Sequence, residues 1–214
     1  MRYMDQRQQL IDAMLEVKRN QLVVLSGGNI SMRMPCGNFL VTPSAMAYET
    51  MTPEDIVLID ENGETVEGHR RATSDKTALL YIFRHMPDVN VIIHTHQPYA
   101  TAVGLVCEKL PATLTTLIDE LHADVHVAPF TRSSDEGMGV LTVDHIGDAL
   151  AVILKHHGVI AIGRDIDQAL SACVSLEESS RCYLAAFATG RPVPELTPEQ
   201  IAEESEERGY YGQP

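Results

Sequence analysis

Apolar residues recur at two periods along this chain, and the period predicts which segments are helices and which are strands. Leu10, Ile11, Met14 and Leu15 share one face of a helix within residues 1–20. Similar spacing predicts helices at residues 75–85, 98–106, 143–155 and 165–189. Short apolar runs predict strands on both sides of the glycines near residue 27 and at residues 39–42, 56–59, 64–67, 89–96, 112–117, 125–129 and 159–163.

One of the predicted strands ends in two histidines. The apolar run of residues 89–93 is typical of a buried strand, and it leads directly into His94-Thr95-His96. Residues i and i+2 of a strand share a face, so the two imidazoles should project side by side, as a divalent metal requires. Two polar residues where a strand reaches the surface would give the same pattern. The run alone does not supply a third ligand.

Three loops in the first 75 residues carry glycine or small hydroxyl side chains. They are Ser26-Gly27-Gly28-Asn29, Thr42-Pro43-Ser44-Ala45 and Arg71-Ala72-Thr73-Ser74-Asp75. Glycine lets a ligand approach the backbone, and the unpaired N–H groups at a helix start bind anions. A tight turn between two short strands would also explain the first loop, and helix capping would explain Ser74. Together the three loops favour a phosphate pocket.

Composition narrows the choice of partner. With 214 residues, 44% of them hydrophobic, the chain can form one domain with a sizeable core. The net charge of −14 argues against nucleic acid and anionic membranes. No apolar run reaches the roughly 18 residues of a membrane span, and the polar N-terminus does not resemble a signal peptide. We therefore expect a cytoplasmic protein whose four scattered cysteines are free thiols.

The ordered set of motifs resembles the class II aldolase/adducin family. The motifs are GGNIS at residues 27–31, the TPS and TSD loops, HTHxxYATA at residues 94–102, and HHG at residues 156–158. The resemblance covers about residues 5–213. It implies a single α/β domain over residues 1–214, with three layers and a central mixed, largely antiparallel sheet between helices. It also implies a homotetramer with active sites at the subunit interfaces.

The resemblance further implies a metal and a substrate site. The metal would be Zn²⁺, with Mn²⁺ or Co²⁺ as alternatives, held by His94, His96 and His157. Three neutral histidines with an open position are what a catalytic zinc needs. The substrate would be a phosphorylated ketose. Its phosphate would be held by Gly28, Asn29, Ser44, Ala45, Thr73 and Ser74. Ala45 stands where the aldolases commonly have glycine.

The same resemblance assigns three catalytic residues. Asp75 stands where the aldolases have a glutamate as general acid and base, and where the related L-ribulose-5-phosphate 4-epimerase has aspartate. Asp124, in His122-Ala123-Asp124, and Tyr211, in the terminal Tyr-Tyr-Gly-Gln, match the epimerase's catalytic pair. Residues 191–214 are rich in Pro and Glu, which is typical of a frayed tail. Because Tyr211 lies in it, we instead expect the tail to dock in a neighbouring subunit's active site.

These residues favour an epimerase-like enzyme, with two alternatives. The epimerase would cleave a ketose 5-phosphate between C3 and C4 and rejoin it with inverted C4. The first alternative is an L-fuculose-1-phosphate-type aldolase that yields dihydroxyacetone phosphate and a small aldehyde. One departure from the epimerase pattern is that no histidine follows His157, which leaves a different pentulose or tetrulose phosphate, cleaved rather than epimerised, as a rival substrate. The second alternative is a non-catalytic adducin-like module, which need not keep metal ligands.

Overall fold

In a computed structural model of the protein, residues 1–207 are described, and Tyr211 therefore lies outside the described residues. The helices are α1 (Met4–Arg19), α2 (Lys76–His85), α3 (Pro98–Val106), α4 (Thr115–Leu121), α5 (Glu136–His145), α6 (Ile166–Phe187) and α7 (Pro198–Glu207). The strands are β1 (Asn29–Arg33), β2 (Phe39–Val41), β3 (Val57–Ile59), β4 (Thr65–Glu67), β5 (Val91–Thr95), β6 (Lys109–Leu110), β7 (Val125–Ala128), β8 (Ala151–Leu154) and β9 (Gly158–Gly163). Short 3₁₀ helices span Tyr48–Thr50 and Pro53–Asp55. Among residues 1–207, no helix has both the length and the apolar character needed to cross a membrane.

The nine described strands form one mixed sheet. Their order is β4-β3-β2-β1-β5-β9-β8-β7-β6. Every neighbouring pair of these strands is antiparallel except β7 and β8, which are parallel. The prediction of a mixed, largely antiparallel sheet is therefore confirmed.

Helices cover both faces of the sheet, as predicted. On β5, Val91 and Ile93 join a core cluster that includes buried side chains of α1, α3, α4 and α6. Ile92, which points to the opposite face, joins a second cluster with α2 and α5. His94 is two residues beyond Ile92, so it lies on the face covered by α2 and α5.

Two predicted elements are wrong in type. Residues 143–155 do not form one helix. Helix α5 ends at His145, Gly147 follows at φ +56°, and the buried run Ala151–Leu154 is strand β8. A run of four apolar residues fits a buried strand as well as a helix, and its two neighbouring strands decide between them. Residues 112–117 are not a strand either, because Leu117 and Ile118 lie on the buried face of α4.

Two other segments differ from the expectation in conformation. The strand predicted before the glycine loop does not form. Leu22 and Val23 are buried there, and the carbonyl of Leu22 accepts a hydrogen bond from the backbone N–H of His96 at 3.1 Å. The described part of the C-terminal region is not frayed, since Leu196 N donates to Ala112 O at 2.8 Å and α7 packs on α4.

Helices α2 and α5 approach each other closely at Gly139. A Cβ atom at this position would lie 2.5 Å from the Ala78 carbonyl oxygen and 2.9 Å from Tyr81 Cβ. We expect Gly139→Ala to push the two helices apart and lower the free energy of unfolding by about 1–3 kcal/mol, measured by urea denaturation. Gly104→Ala is the matched control, because its Cβ would meet side-chain atoms and no backbone, with Ile153 Cγ2 at 2.7 Å and Val127 Cγ1 at 3.7 Å. Equal losses in the two variants would contradict this account of the contact.

Candidate active site

Three histidines converge at one edge of the sheet. His94 ends β5, His96 follows it, and His157 lies in the turn between β8 and β9. Strand β9 pairs antiparallel with β5 and places Val159 opposite Thr95, so the turn arrives beside the two β5 histidines. One nitrogen of each ring lies within 4.8 Å of the others.

The orientation of the rings fits a metal centre. The Nδ1–H of His94 donates to the Val159 carbonyl at 2.9 Å, which leaves its Nε2 free as a ligand. That Nε2 lies 3.1 Å from His96 Nε2. Two nitrogens bound tetrahedrally to one zinc lie roughly 3.3 Å apart, given Zn–N bonds near 2.0–2.1 Å. The three imidazoles can therefore hold a divalent metal and leave positions open for substrate.

Burial keeps the imidazoles neutral. It lowers the pKa of His94 to about 4, and it also lowers the pKa values of His96 and His157. The Asp75 carboxylate opposes the shift at all three rings, which places it in their electrostatic neighbourhood. Neutral imidazole is the form that binds metal, so the site is ready to do so at neutral pH.

Helix α6 fixes the segment that follows His96. Thr95 Oγ1 donates to Gln97 Oε1 at 2.6 Å, and Gln97 Nε2 donates to the Cys173 carbonyl at 3.2 Å. Glu177 accepts hydrogen bonds from the backbone N–H groups of Tyr99 and Ala100 at the start of α3. Glu177 is therefore not part of a solvated face, and burial raises the pKa of its carboxyl group.

Two motif glycines are required by packing against β5. A Cβ atom on Gly28 would lie 2.4 Å from the His94 carbonyl oxygen, and one on Gly158 would lie 2.2 Å from the Thr95 carbonyl oxygen. Gly28 also has φ +70°, a conformation that side chains disfavour. These glycines let the loops close on the strand that carries the histidines.

Asp75 lies beside the histidines and is held by two side chains. It is 8% exposed and stands at the N-cap of α2, although its side chain does not cap the helix. Asn29 Nδ2 donates to Asp75 Oδ2 at 2.7 Å, and Ser134 Oγ donates to Asp75 Oδ1 at 2.9 Å. Sequence reasoning missed Ser134, which lies 59 residues away in a loop that showed no motif.

The three glycine and hydroxyl loops meet at Thr42, which is fully buried. Its Oγ1 accepts from Ile30 N at 3.3 Å, next to the first loop. Its carbonyl accepts from Thr73 N at 3.0 Å, in the third loop. An isolated bridge between Pro43 and Ala72 joins the second and third loops directly. The structure therefore brings together Gly28, Asn29, Ser44, Ala45, Thr73 and Ser74.

The loops present backbone N–H groups that could hold an anion. Within residues 1–207, the N–H groups of Gly28, Ala45 and Ser74 make no hydrogen bond. Tyr48 donates its hydroxyl to the carbonyls of Gly27 and Gly28, at 3.1 and 2.8 Å. The N–H of a trans peptide points opposite to its C=O, so Tyr48 turns the N–H of Gly28 away from itself. Burial raises the pKa of Tyr48, which therefore remains a donor.

Asn29 is constrained by its side-chain hydrogen bond, and Ala45 is constrained by its backbone conformation. Asn29 commits its Nδ2 to Asp75, and its buried Oδ1 has no partner in the described chain. An acceptor suits a substrate hydroxyl better than a phosphate oxygen, so Asn29 Oδ1 is not suited to phosphate. Ala45 has φ +54°, where a non-glycine residue is strained. That conformation explains why glycine would fit there more easily.

Asp124 is not brought to the histidines of its own chain. It precedes β7, whose Ala128 is level with Leu154, just before the turn that holds His157. Asp124 lies four residues before Ala128, so it is roughly 13 Å from Ala128 and Leu154 along the strand direction. The carboxylate instead accepts from Lys109 Nζ at 2.6 Å and from Ala112 N at 2.7 Å. Tyr211 lies outside the described residues, so its assignment stays a prediction.

Known proteins resemble this chain along nearly its whole length. The model of the Class II Aldolase and Adducin N-terminal domain matches residues 8–184. L-fuculose phosphate aldolase of Escherichia coli (strain K12) is 31% identical over 208 residues, covering 95% of this chain and 94% of that protein. 5-deoxy-D-ribulose 1-phosphate aldolase of Bacillus thuringiensis serovar kurstaki is 31% identical over 188 residues, covering 86% and 87%.

Structural comparison agrees with the sequence matches. A solved structure of L-fuculose 1-phosphate aldolase has a TM-score of 0.90 at 27% identity and covers 97% of both chains. Because the relatives carry the names of aldolases, they favour the aldolase alternative over the epimerase. The family match, the similar fold and the convergent histidines agree, and the chain belongs to the class II aldolase and adducin family.

Proposed function

We propose that this chain is a divalent-metal-dependent aldolase that reversibly cleaves a ketose 1-phosphate into dihydroxyacetone phosphate and a small aldehyde. The observation that carries the proposal is the convergence of His94, His96 and His157 next to the buried carboxylate of Asp75. The substrate class follows from the relatives, whose names include L-fuculose 1-phosphate and 5-deoxy-D-ribulose 1-phosphate. An adducin-like scaffold would not require this set of ligands.

The metal would be zinc, bound by His94, His96 and His157. When bound, it would supply Lewis-acid stabilisation of the negative charge that develops on the substrate oxygens as the carbon–carbon bond breaks. Mn²⁺ and Co²⁺ also accept imidazole ligands and are alternatives. The chain itself keeps the rings neutral and, through the Val159 carbonyl, fixes the tautomer of His94.

Asp75 would move the proton at carbon. In the cleavage direction, the C4 hydroxyl would give its proton to solvent and the C3–C4 bond would break, giving the aldehyde and an enediolate. Asp75, in its protonated form, would then give a proton to C3 and complete dihydroxyacetone phosphate. Its two oxygens are held by Asn29 and Ser134, which leaves lone pairs for the substrate. Asn29 Oδ1 would accept a hydrogen bond from a substrate hydroxyl.

The three loops would bind the phosphate. The unpaired N–H groups of Gly28, Ala45 and Ser74, together with the hydroxyls of Ser44 and Thr73, offer donors without a large basic surface. Tyr48 would act indirectly by orienting the peptide of Gly28.

The second candidate remains an L-ribulose-5-phosphate 4-epimerase activity. It is favoured by aspartate rather than glutamate at position 75 and by the sequence around Asp124 and Tyr211. Asp124 and the histidines of the same chain lie at opposite ends of the strands. This activity therefore requires a neighbouring subunit to supply the aspartate. The homotetramer with shared sites is therefore part of this second candidate.

The metal proposal is tested by elemental analysis of the purified chain. We expect about one zinc per chain, and we expect His157→Ala to lose it because two imidazoles form an incomplete site. His126→Ala is the control, since His126 is exposed on β7. Zinc retained by His157→Ala at the wild-type level would contradict the assignment.

The role of Tyr48 is tested by Tyr48→Phe. Loss of one hydroxyl frees the peptide of Gly28 to rotate, so KM for the phosphorylated substrate should rise about five- to tenfold with unchanged zinc content. Inorganic phosphate should inhibit correspondingly less. Tyr81→Phe removes a hydroxyl from α2 and should change neither KM nor the inhibition by inorganic phosphate. An unaltered KM in Tyr48→Phe would reject the orienting role.

The reaction is tested with three substrates. L-fuculose 1-phosphate, 5-deoxy-D-ribulose 1-phosphate and L-ribulose 5-phosphate are each incubated with the zinc-loaded protein. We expect dihydroxyacetone phosphate, measured by coupled NADH oxidation, from a ketose 1-phosphate. Asp75→Asn should lower kcat about 10²–10⁴-fold while zinc stays bound. If an epimer of L-ribulose 5-phosphate forms and no dihydroxyacetone phosphate is released from any substrate, the aldolase proposal is rejected in favour of the epimerase.

A further inference from the structure

Ser134 is held in a conformation that its residue type disfavours. It lies in the loop between β7 and α5 and has φ +63°, in the left-handed region where a Cβ atom is crowded. Helix α5 does not need the Ser134 side chain as a cap. Asp135 is the N-cap, and its side chain accepts from Gly137 N at 3.0 Å. A strained backbone with a side chain not used by its own element suggests a role elsewhere.

The Ser134 hydroxyl is directed at Asp75. It donates to Asp75 Oδ1 at 2.9 Å, while Asn29 Nδ2 holds the other carboxylate oxygen at 2.7 Å. Ser74 Oγ also lies near Oδ1, but at 3.5 Å it is at the limit of a hydrogen bond. The carboxylate is therefore fixed by two short hydrogen bonds that come from opposite elements, the start of β1 and the loop before α5.

Asp75 and Ser134 lie next to two helices that pack together. Asp75 begins α2 and Ser134 precedes α5, and the two helices are in close contact where Gly139 meets the Ala78 carbonyl. Catalytic groups must be held within about 0.5 Å of their productive position, which requires support from packed elements. The α2–α5 contact supplies that support.

We propose that Ser134 is a positioning residue that holds the Asp75 carboxylate in the orientation from which it exchanges a proton with the substrate carbon. This inference rests on the proposed function, in which Asp75 moves that proton. Ser134 does not touch the substrate; it fixes the direction of Oδ1, so that the remaining lone pairs of the carboxylate face the substrate.

The test isolates the proton step. Zinc-loaded protein is incubated with dihydroxyacetone phosphate alone in D₂O, and exchange of its carbon-bound hydrogen is followed by NMR. We expect Ser134→Ala and Ser134→Gly to slow this exchange about 10–100-fold, as loss of a hydrogen bond to a charged group implies. The apparent affinity for dihydroxyacetone phosphate and the zinc content should stay within about twofold of wild type.

The two substitutions separate the hydroxyl from the backbone. Both remove the hydroxyl, but only glycine relieves the left-handed strain, so Ser134→Gly should unfold at or above the wild-type Tm while losing exchange. If Ser134 were only structural, replacing it by glycine would not slow the proton step in a protein that remains as stable as wild type. Ser133→Ala, at an exposed neighbouring position, is the control and should exchange at the wild-type rate.

The outcomes distinguish the two proposals. If the wild type does not exchange the hydrogen, or if Asp75→Asn exchanges it normally, the proposed proton role of Asp75 is rejected together with the role of Ser134. If Asp75→Asn is inactive but both Ser134 variants exchange like wild type, only the positioning role is rejected. Wild-type exchange by Ser134→Gly with slow exchange by Ser134→Ala would assign the effect to the backbone and overturn the inference.

Discussion

The antiparallel pairing of β5 with β9 is the constraint on which the site depends. It places Val159 opposite Thr95, and this register delivers His157 to the edge where His94 and His96 emerge. The same pairing provides the Val159 carbonyl that holds His94 Nδ1. A slip of one residue would turn every side chain of the strand to the other face. Both strands are buried along their whole length.

Charge and burial are balanced around these histidines. Burial favours neutral rings, and the nearby Asp75 carboxylate partly opposes it. The carboxylate is itself stabilised by neutral donors, Asn29 and Ser134, rather than by a lysine or arginine. Neutral donors orient the group without cancelling its charge. Within residues 1–207, this arrangement places no lysine or arginine on the carboxylate, in a chain with a net charge of −14.

The sequence predicted the parts of the site that lie close together along the chain. The i, i+2 spacing of His94 and His96 is a local signal, and the motifs located His157, Asp75 and the three loops. Tyr48 and Ser134 carried no such signal, because each makes its hydrogen bond to a residue at least 20 positions away. Strand β8 was mistaken for part of a helix because periodicity does not separate the two for four buried residues. The placement of Asp124 depended on the parallel pairing of β7 with β8, which only the assembled sheet shows.

The close fit of Asp75 against Ser134 has a consequence for how the site can change. A glutamate at position 75 would extend the carboxylate by one methylene, or roughly 1.5 Å. The Ser134 hydroxyl already lies at hydrogen-bond distance from the aspartate, so the longer side chain would collide with it or turn aside. A longer acid at position 75 would therefore need either a different rotamer or a residue smaller than serine at position 134. The size of the side chain at position 75 is thus limited by a residue 59 positions away in the sequence.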